Sequence, residues 1–284
     1  MSTVPLEAPC ARCLDRGYLF APAGERAKAE LCGCQVECRQ CGGGGRVVQS
    51  RDGRLFASQC RCRASARRVA LYNAASIPRH FCDKGFDRFR VYERDQEQVL
   101  RAVTSFATGY PKERKGLCLW GKPGTGKTHL LCAALQHLTL EKGVPCRFVE
   151  ISFLFSEIRE AFQRSVSALV ALAPLAEVEV LAIDEIGKGR GTPFEQDTLD
   201  ELLGRRYNAD RTTLFATNCN VSFGAKELKA DGGFLRTGAH GDDEGSGRDQ
   251  DLRQRIGERS FSRMAEMVQF HHIVAKDRRI PLGS

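Results

Sequence analysis

The chain has 284 residues, a net charge of +8 and 13 cysteines, enough length for one medium domain plus a small one. No apolar stretch is long enough to span a bilayer. The start, Met-Ser-Thr-Val-Pro-Leu-Glu-Ala-Pro-Cys, has neither the basic head nor the apolar core of a signal peptide, so the sequence predicts a cytoplasmic chain and argues against a secreted or membrane one.

The cysteines come first in chain order. Cys10-x-x-Cys13, Cys32-x-Cys34, Cys38-x-x-Cys41 and Cys60-x-Cys62 form a tandem repeat with an offset of 28, and Gly17 maps onto Gly45 in the same register. In a reducing compartment such spacing points to metal ligands rather than disulfides. Zn²⁺ favours a tetrahedral thiolate shell, and a four-cysteine shell is closed, hence structural. Segments this short lack an adequate apolar core, so metal binding supplies much of their folding energy. Two Zn²⁺ sites are expected within residues 1–62, paired either sequentially or with the units interleaved, Cys10 and Cys13 then sharing a metal with Cys38 and Cys41; a redox or iron–sulfur role is the alternative that nothing in the sequence selects. The remaining cysteines, Cys82, Cys118, Cys132, Cys146 and Cys219, sit in apolar surroundings and read as ordinary buried thiols.

Residues 1–80 hold 13 Lys/Arg against 6 Asp/Glu, so the module is basic and suits nucleic acid or an acidic protein surface. Four thiolates on each Zn²⁺ offset part of that charge. Residues 63–76 predict a short basic helix within a linker at 63–80, ended by Ile77-Pro78. Several aromatics lie between Phe81 and Phe89, and residues 94–109 read as an amphipathic helix.

Leu117-Cys118-Leu119-Trp120 is a strand-like run, and residues 121–128 read Gly-Lys-Pro-Gly-Thr-Gly-Lys-Thr. This is a complete G-x-x-x-x-G-K-T phosphate-binding loop, followed by helical spacing from His129 to Leu140. Backbone N–H groups of such a loop wrap phosphates, aided by the positive end of the helix. The candidate nucleotide contacts are Gly121, Lys122, Pro123, Gly124, Thr125, Gly126, Lys127, Thr128 and His129. Lys127 is placed to reach the β/γ-phosphates and Thr128 to ligate Mg²⁺.

Residues 147–151 make the next strand, and Ser152 is expected to cap a helix beginning near Phe153 and running past Arg159 and Phe162 toward Arg164. Residues 178–183 form another strand, ending in Asp184-Glu185. A carboxylate at the tip of a neighbouring strand is where the Mg²⁺ of a nucleotide finds a ligand, and Asp184 fits that role. Glu185 is the candidate for polarising the attacking water. A helix at 194–208 and a strand at 213–218 follow. Asn218, at the end of that strand, is placed to meet the γ-phosphate or its water, with a turn-forming role as the plainer alternative. Residues 230–251 are rich in Gly, Asp and Arg and read as a mobile loop. A basic helix-like stretch at 252–267 and a last strand at 268–274 complete the pattern. Strands alternating with helices predict an α/β fold with a parallel sheet and helices on both faces.

The order of these pieces resembles the AAA+ ATPases. More narrowly it resembles the bacterial helicase loaders of the DnaC/DnaI type and the related IstB transposition ATPases. The matching stretches are Ile77-Pro78-Arg79-His80-Phe81, the loop at 121–128, residues 181–187, Ala216-Thr217-Asn218 and Gly257-Glu258-Arg259-Ser260-Phe261-Ser262-Arg263-Met264. The resemblance implies an AAA+ core over residues 81–284 without a C-terminal helical lid. It also implies that Arg263 is similar to the arginine finger that reaches a neighbouring subunit's nucleotide, with Arg259 a second candidate. ATP with Mg²⁺ as cofactor, assembly into a homo-oligomer, and a replicative helicase or a transposase as partner follow from it. In the loader reading the zinc module grips the helicase while the core binds single-stranded DNA. Arg159, Arg164, Phe153, Phe155 and Phe162 are then candidates for the DNA path, weighed against plain core positions for the phenylalanines. The competing readings are a transposition helper acting on duplex DNA and a nucleotide-gated adaptor with negligible turnover.

Overall fold

The computed structural model describes residues 10–21, 24–36, 38, 40–51, 54–222 and 251–276. All but the last residue of the loop expected at 230–251 lie outside them. The first cysteine unit folds as an antiparallel hairpin of β1 (Tyr18–Phe20) and β2 (Ala29–Leu31), followed by the short helix α1 (Gly33–Val36). The second unit forms the longer hairpin of β3 (Arg46–Arg51) and β4 (Arg54–Gln59). Helix α2 (Arg61–Ala74) begins at the last cysteine pair and stops just ahead of Ile77-Pro78.

The rest is built on α3 (Arg94–Gly109), β5 (Gly116–Trp120), α4 (Lys127–Leu140), β6 (Cys146–Glu150), α5 (Ile151–Gln163), α6 (Ala168–Glu177), β7 (Val180–Asp184), α7 (Pro193–Asn208), β8 (Thr212–Thr217), α8 (Leu252–Ile256), α9 (Glu258–Met267) and β9 (Val268–His272). The five strands from β5 onward make one parallel sheet in the order β6-β7-β8-β5-β9. β7 and β8 are buried along their whole length, as strands covered on both faces must be.

Two apolar clusters flank the sheet. One joins α2, α3 and α4 with the first cysteine unit: Tyr18, Ala27 and Ala29 share a core with Val69, Tyr72, Val103 and Leu135. The other is formed by α5 to α9. Helix α2 is therefore a packed part of the body. Asn73 on α2 fastens the first hairpin by accepting from the Ala29 N–H at 2.8 Å and donating to the Ala29 carbonyl at 3.0 Å.

The predicted elements are present, with three corrections. Ser152 does not cap: α5 starts at Ile151 directly after β6, and Ser152 lies in its first turn. The single helix expected over 252–267 is two, broken at Gly257, whose φ of 85° ends α8 and opens α9. Helix α6 was not expected; its run Ala-Leu-Val-Ala-Leu-Ala-Pro-Leu-Ala-Glu is apolar all round and carries Pro174 in its interior. Among the described residues no helix is long and apolar enough to cross a membrane.

Candidate nucleotide site and cysteine clusters

The phosphate loop turns between β5 and α4 at the carboxyl edge of the sheet. Two glycines there have no substitute. Gly126 caps α4 with φ of 101°, and a Cβ on it would lie 2.6 Å from Phe89 Cε2. A Cβ on Gly121, at φ of 140°, would lie 2.4 Å from the Ile273 carbonyl oxygen. Both positions combine a backbone region that L side chains avoid with a close neighbour. Lys127 is buried and its Nζ donates to the carbonyls of Gly121 and Lys122, each at 2.7 Å. Gln96 on α3 braces the loop by donating to the Thr125 carbonyl at 3.2 Å.

Across the loop, Thr128 Oγ1 donates to Asp184 Oδ2 at 2.9 Å, and the Glu185 N–H donates to Asp184 Oδ1 at 3.0 Å. The predicted Mg²⁺ pair is thus already adjacent. Burial pushes the Asp184 carboxyl up to about 6, against its two hydrogen bonds, which favour the ionised form. Glu185 follows with φ of 56°, a left-handed conformation that costs a non-glycine residue about 1–2 kcal/mol. Strain of this kind concentrates at functional positions. Its carboxylate is ion-paired with Lys188, whose Nζ also reaches Glu150 Oε1 at 3.2 Å.

A cavity of about 510 Å³ opens over these groups, with Lys127, Thr128, Asp184, Glu185 and Asn218 in its wall. Asn218 is exposed just past β8, whose end is pinned by Thr217 Oγ1 donating to the Ile186 carbonyl at 2.6 Å. Pro78, His80 and Phe81 form the opposite rim. In the sequence that stretch only ends a helix and carries part of the family resemblance; its place on the rim comes from the chain crossing back over the loop. His129 sits in a cage, with its Nε2 3.2 Å from the Gly85 carbonyl and its ring 5.2 Å from Phe89 and 6.3 Å from Phe81. Burial lowers its pKa, which keeps the ring neutral. Lys122 and Pro123 are exposed at the tip of the loop.

Arg263 does not lie free on a helix face. It pairs with the Asp200 carboxylate on α7 and is 30% exposed, whereas Arg259, 4.0 Å from the same carboxylate, is 84% exposed. Of the candidate DNA-path residues, Phe155 is buried core, while Phe153 and Phe162 are exposed. Arg159 pairs with Glu195 at 3.3 Å and lies 5.2 Å above the Phe194 ring. A second cavity, about 470 Å³, separates α5 from the loop before α7, with Ser152, Ser156, Arg159 and Lys188 in its wall.

The eight repeat cysteines form two clusters in sequential pairing: Cys10, Cys13, Cys32 and Cys34 in one, and Cys38, Cys41, Cys60 and Cys62 in the other. The interleaved arrangement is excluded. Sulfur separations of 3.8 Å (Cys10–Cys32), 3.6 Å (Cys13–Cys34), 3.5 Å (Cys38–Cys60) and 3.4 Å (Cys41–Cys62) approach the roughly 3.8 Å edge of a tetrahedron with Zn–S bonds of about 2.3 Å. The N–H groups of Cys13 and Arg12 hold the Cys10 thiol down at about 7, and the hydrogen bond with Cys41 pushes Cys62 up to about 12. Four thiols this close ionise together only with a cation among them, and the donor set fits zinc. Cys82, Cys118, Cys132 and Cys146 are buried and unclustered, as expected.

A five-stranded parallel sheet with helices on both faces, a phosphate loop after a central strand and an acidic pair ending another strand define an ATP-binding protein of the AAA+ class. The chain belongs to the IstB-like ATP binding protein family, whose model matches residues 49–227. That match begins inside the second hairpin and leaves the first cysteine unit outside. Residues of the chain are 28% identical over 137 positions to the replicative helicase loader DnaC of Escherichia coli K12, covering 48% of this chain and 56% of that protein. The chain therefore spans little more than half the length of those curated relatives. It is also 28% identical over 180 residues to the uncharacterized protein YdaV of E. coli K12, covering 61% of this chain and 72% of that one. Among solved structures it resembles the DnaC helicase loader, with a TM-score of 0.55 at 22% identity, covering 69% of this chain and 99% of that one. It resembles DnaI with a TM-score of 0.51, also at 22% identity, covering 71% and 94%. These structural likenesses establish the fold.

Proposed function

We propose that this chain is a Mg²⁺-dependent ATPase that loads a replicative helicase onto single-stranded DNA. The observation that carries the reading is the junction of Lys127, the Thr128–Asp184 pair and Glu185 in one cavity. When bound, ATP supplies the phosphoanhydride to be cleaved and Mg²⁺ supplies charge neutralisation. Lys127 would turn from its carbonyl partners to β/γ-phosphate oxygens. Thr128 and Asp184 would hold the metal, Asn218 would orient the γ-phosphate side, and Glu185, freed from Lys188, would accept a hydrogen bond from the attacking water.

Arg263, or the more exposed Arg259, is the candidate to reach the nucleotide of an adjoining protomer. A guanidinium delivered in trans stabilises charge building on the transferring group and makes hydrolysis depend on assembly. The exposed Phe153 and Phe162, with the cavity beside α5 that Arg159, Lys188 and Arg190 share with Glu195, support a single-stranded DNA path. The zinc module is the partner grip.

The test is phosphate release by the zinc-loaded chain with and without DNA and purified helicase. Lys127→Ala is expected to lose nucleotide binding, and Arg263→Ala to keep binding but lose assembly-stimulated turnover. No release under any condition leaves a nucleotide-gated adaptor. The family description favours a second reading, a transposition helper. Recovery of a transposase rather than a helicase on affinity purification decides for it.

A further inference from the structure

The two cysteine units share one plan and differ in what covers it. The register of β1 and β2 pairs Tyr18 with Leu31 and Phe20 with Ala29; that of β3 and β4 pairs Arg46 with Gln59 and Val48 with Ala57, each position 28 further on. Directly opposed residues share a face, as do alternate residues along a strand. The face carrying Tyr18, Phe20 and Ala29 in the first unit, with Ala27 just before β2, is therefore the face carrying Arg46, Val48, Ala57 and Leu55 in the second.

In the first unit that face is covered. Tyr18, Ala27 and Ala29 are buried in the core, and the Phe20 ring lies 5.7 Å from Tyr72 on α2. In the second unit it is bare. Val48 is 62% exposed, Leu55 is 76% exposed, and β4 is exposed throughout. The second unit is fixed to the body through Cys60 and Cys62 at the start of α2. Its hairpin projects from that anchor.

Charge separates the units further. Residues 10–34 hold four Lys/Arg against three Asp/Glu, whereas the equivalent residues 38–62 hold five Arg against one Asp. Arg46 stands where the first unit has Tyr18. Among the described residues no carboxylate lies within ion-pair distance of Arg46, Arg54 or Arg63.

We propose that the second hairpin is a docking surface for an amphipathic helix of the partner protein, with an apolar stripe and an acidic rim. The first unit supplies the template: the equivalent face there is already covered by a helix, α2, through aromatic and aliphatic contacts. Val48, Leu55 and Ala57 keep the apolar character of that face, and the arginines select acidic flanks. A second copy of the hairpin is disfavoured as occupant because it brings like charges together. The inference rests on the loader reading. It assigns the helicase contact to the second unit and leaves the first a structural part of the ATPase body.

The experiment titrates the full, zinc-loaded chain with purified replicative helicase of the same organism, following fluorescence anisotropy. Val48→Asp combined with Leu55→Asp is expected to weaken binding at least about tenfold, the scale of a buried apolar anchor. Leu55→Ser should weaken it less. Arg46→Glu should weaken it and flatten its dependence on salt. Zinc content and ATP affinity unchanged in each variant show that the fold is intact. Equal helicase binding by the double variant overturns the assignment of the hairpin while leaving the loader reading standing. Failure of the unaltered chain to bind helicase overturns both. Loss of single-stranded DNA affinity with helicase binding intact also overturns the proposal, and moves the hairpin to nucleic acid.

Discussion

At the scale of single residues, two side chains of the candidate site, Asp184 and Lys188, have environments with measurable consequences. Asp184 is 7% exposed, and burial raises its carboxyl from 3.8 to about 6. A raised carboxyl favours the protonated folded state, so stability falls as pH rises from about 4 to about 6 and stays lower above it. The cost at neutral pH is on the order of 3 kcal/mol, from a shift of about 2 pKa units at about 1.4 kcal/mol each. Asp184→Asn should therefore raise the melting temperature of the nucleotide-free chain at pH 7.5 but not near pH 4, while losing the stabilisation that MgATP gives the parent. Melting curves at the two pH values, with and without MgATP, test both halves. Lys188 holds the Glu185 carboxylate together with Glu150. Removing it frees the carboxylate that the proposed mechanism needs. Lys188→Ala is expected to raise basal phosphate release several-fold with nucleotide affinity unchanged, and a fall in turnover would show instead that the pair orients Glu185 productively.

At the scale of elements, Arg206 shows how the apolar side of the sheet is locked. It is fully buried on α7, and its guanidinium donates to the carbonyls of Leu175 at 2.7 Å, Val178 at 2.9 Å and Thr212 at 2.6 Å, and to Thr213 Oγ1 at 2.9 Å. It thus satisfies carbonyls at the end of α6 that have no helical partner and ties them to β8. Arg206→Leu should cost about 3 kcal/mol in urea unfolding by leaving those acceptors dry, and Arg206→Lys should restore only part, since an ammonium cannot fork across them. None of this was legible in the sequence, because an arginine on a helix as charged as Pro193–Asn208 reads as a solvated one. Helix α6 was missed for a related reason: a run apolar on every side has no period, and Pro174 reads as a break. The elements that were legible carry local chemistry. The loop at 121–128, the Asp184-Glu185 tip and the cysteine spacing are each fixed by what a few adjacent residues must do. The rim of Pro78, His80 and Phe81 and the pairing of Arg263 with Asp200 depend on chain crossings that spacing alone does not reveal.

At the scale of the whole molecule, the repeat has placed two similar cysteine clusters in unequal positions, and their disruption should have unequal consequences. The first hairpin is stitched to the segment that rims the nucleotide cavity: the Ala27 N–H donates to the Ile77 carbonyl at 2.8 Å, and the Arg79 N–H donates to the Glu25 carbonyl at 3.0 Å. Tyr18 reaches past α2 to donate to Glu141 at 3.3 Å. A metal in the first cluster would hold the hairpin that holds Pro78 and Phe81 against the site, and its loss would loosen both the apolar cluster under α4 and one wall of the nucleotide cavity. A metal in the second cluster would hold a hairpin whose second strand is wholly exposed. Replacing Cys10 and Cys13 by serine should thus lower the melting temperature by about 5 °C or more, for a loss of roughly 2 kcal/mol in a chain of this size, and should weaken ATP binding. The same replacement at Cys38 and Cys41 should leave melting within about 2 °C and ATP affinity unchanged, while releasing the metal of that cluster. Thermal melts, nucleotide titrations and zinc analysis of the two variants side by side decide it. Equal effects from both would mean that the second unit is as much a part of the body as the first, and the difference in cover between the two hairpins would have no energetic meaning.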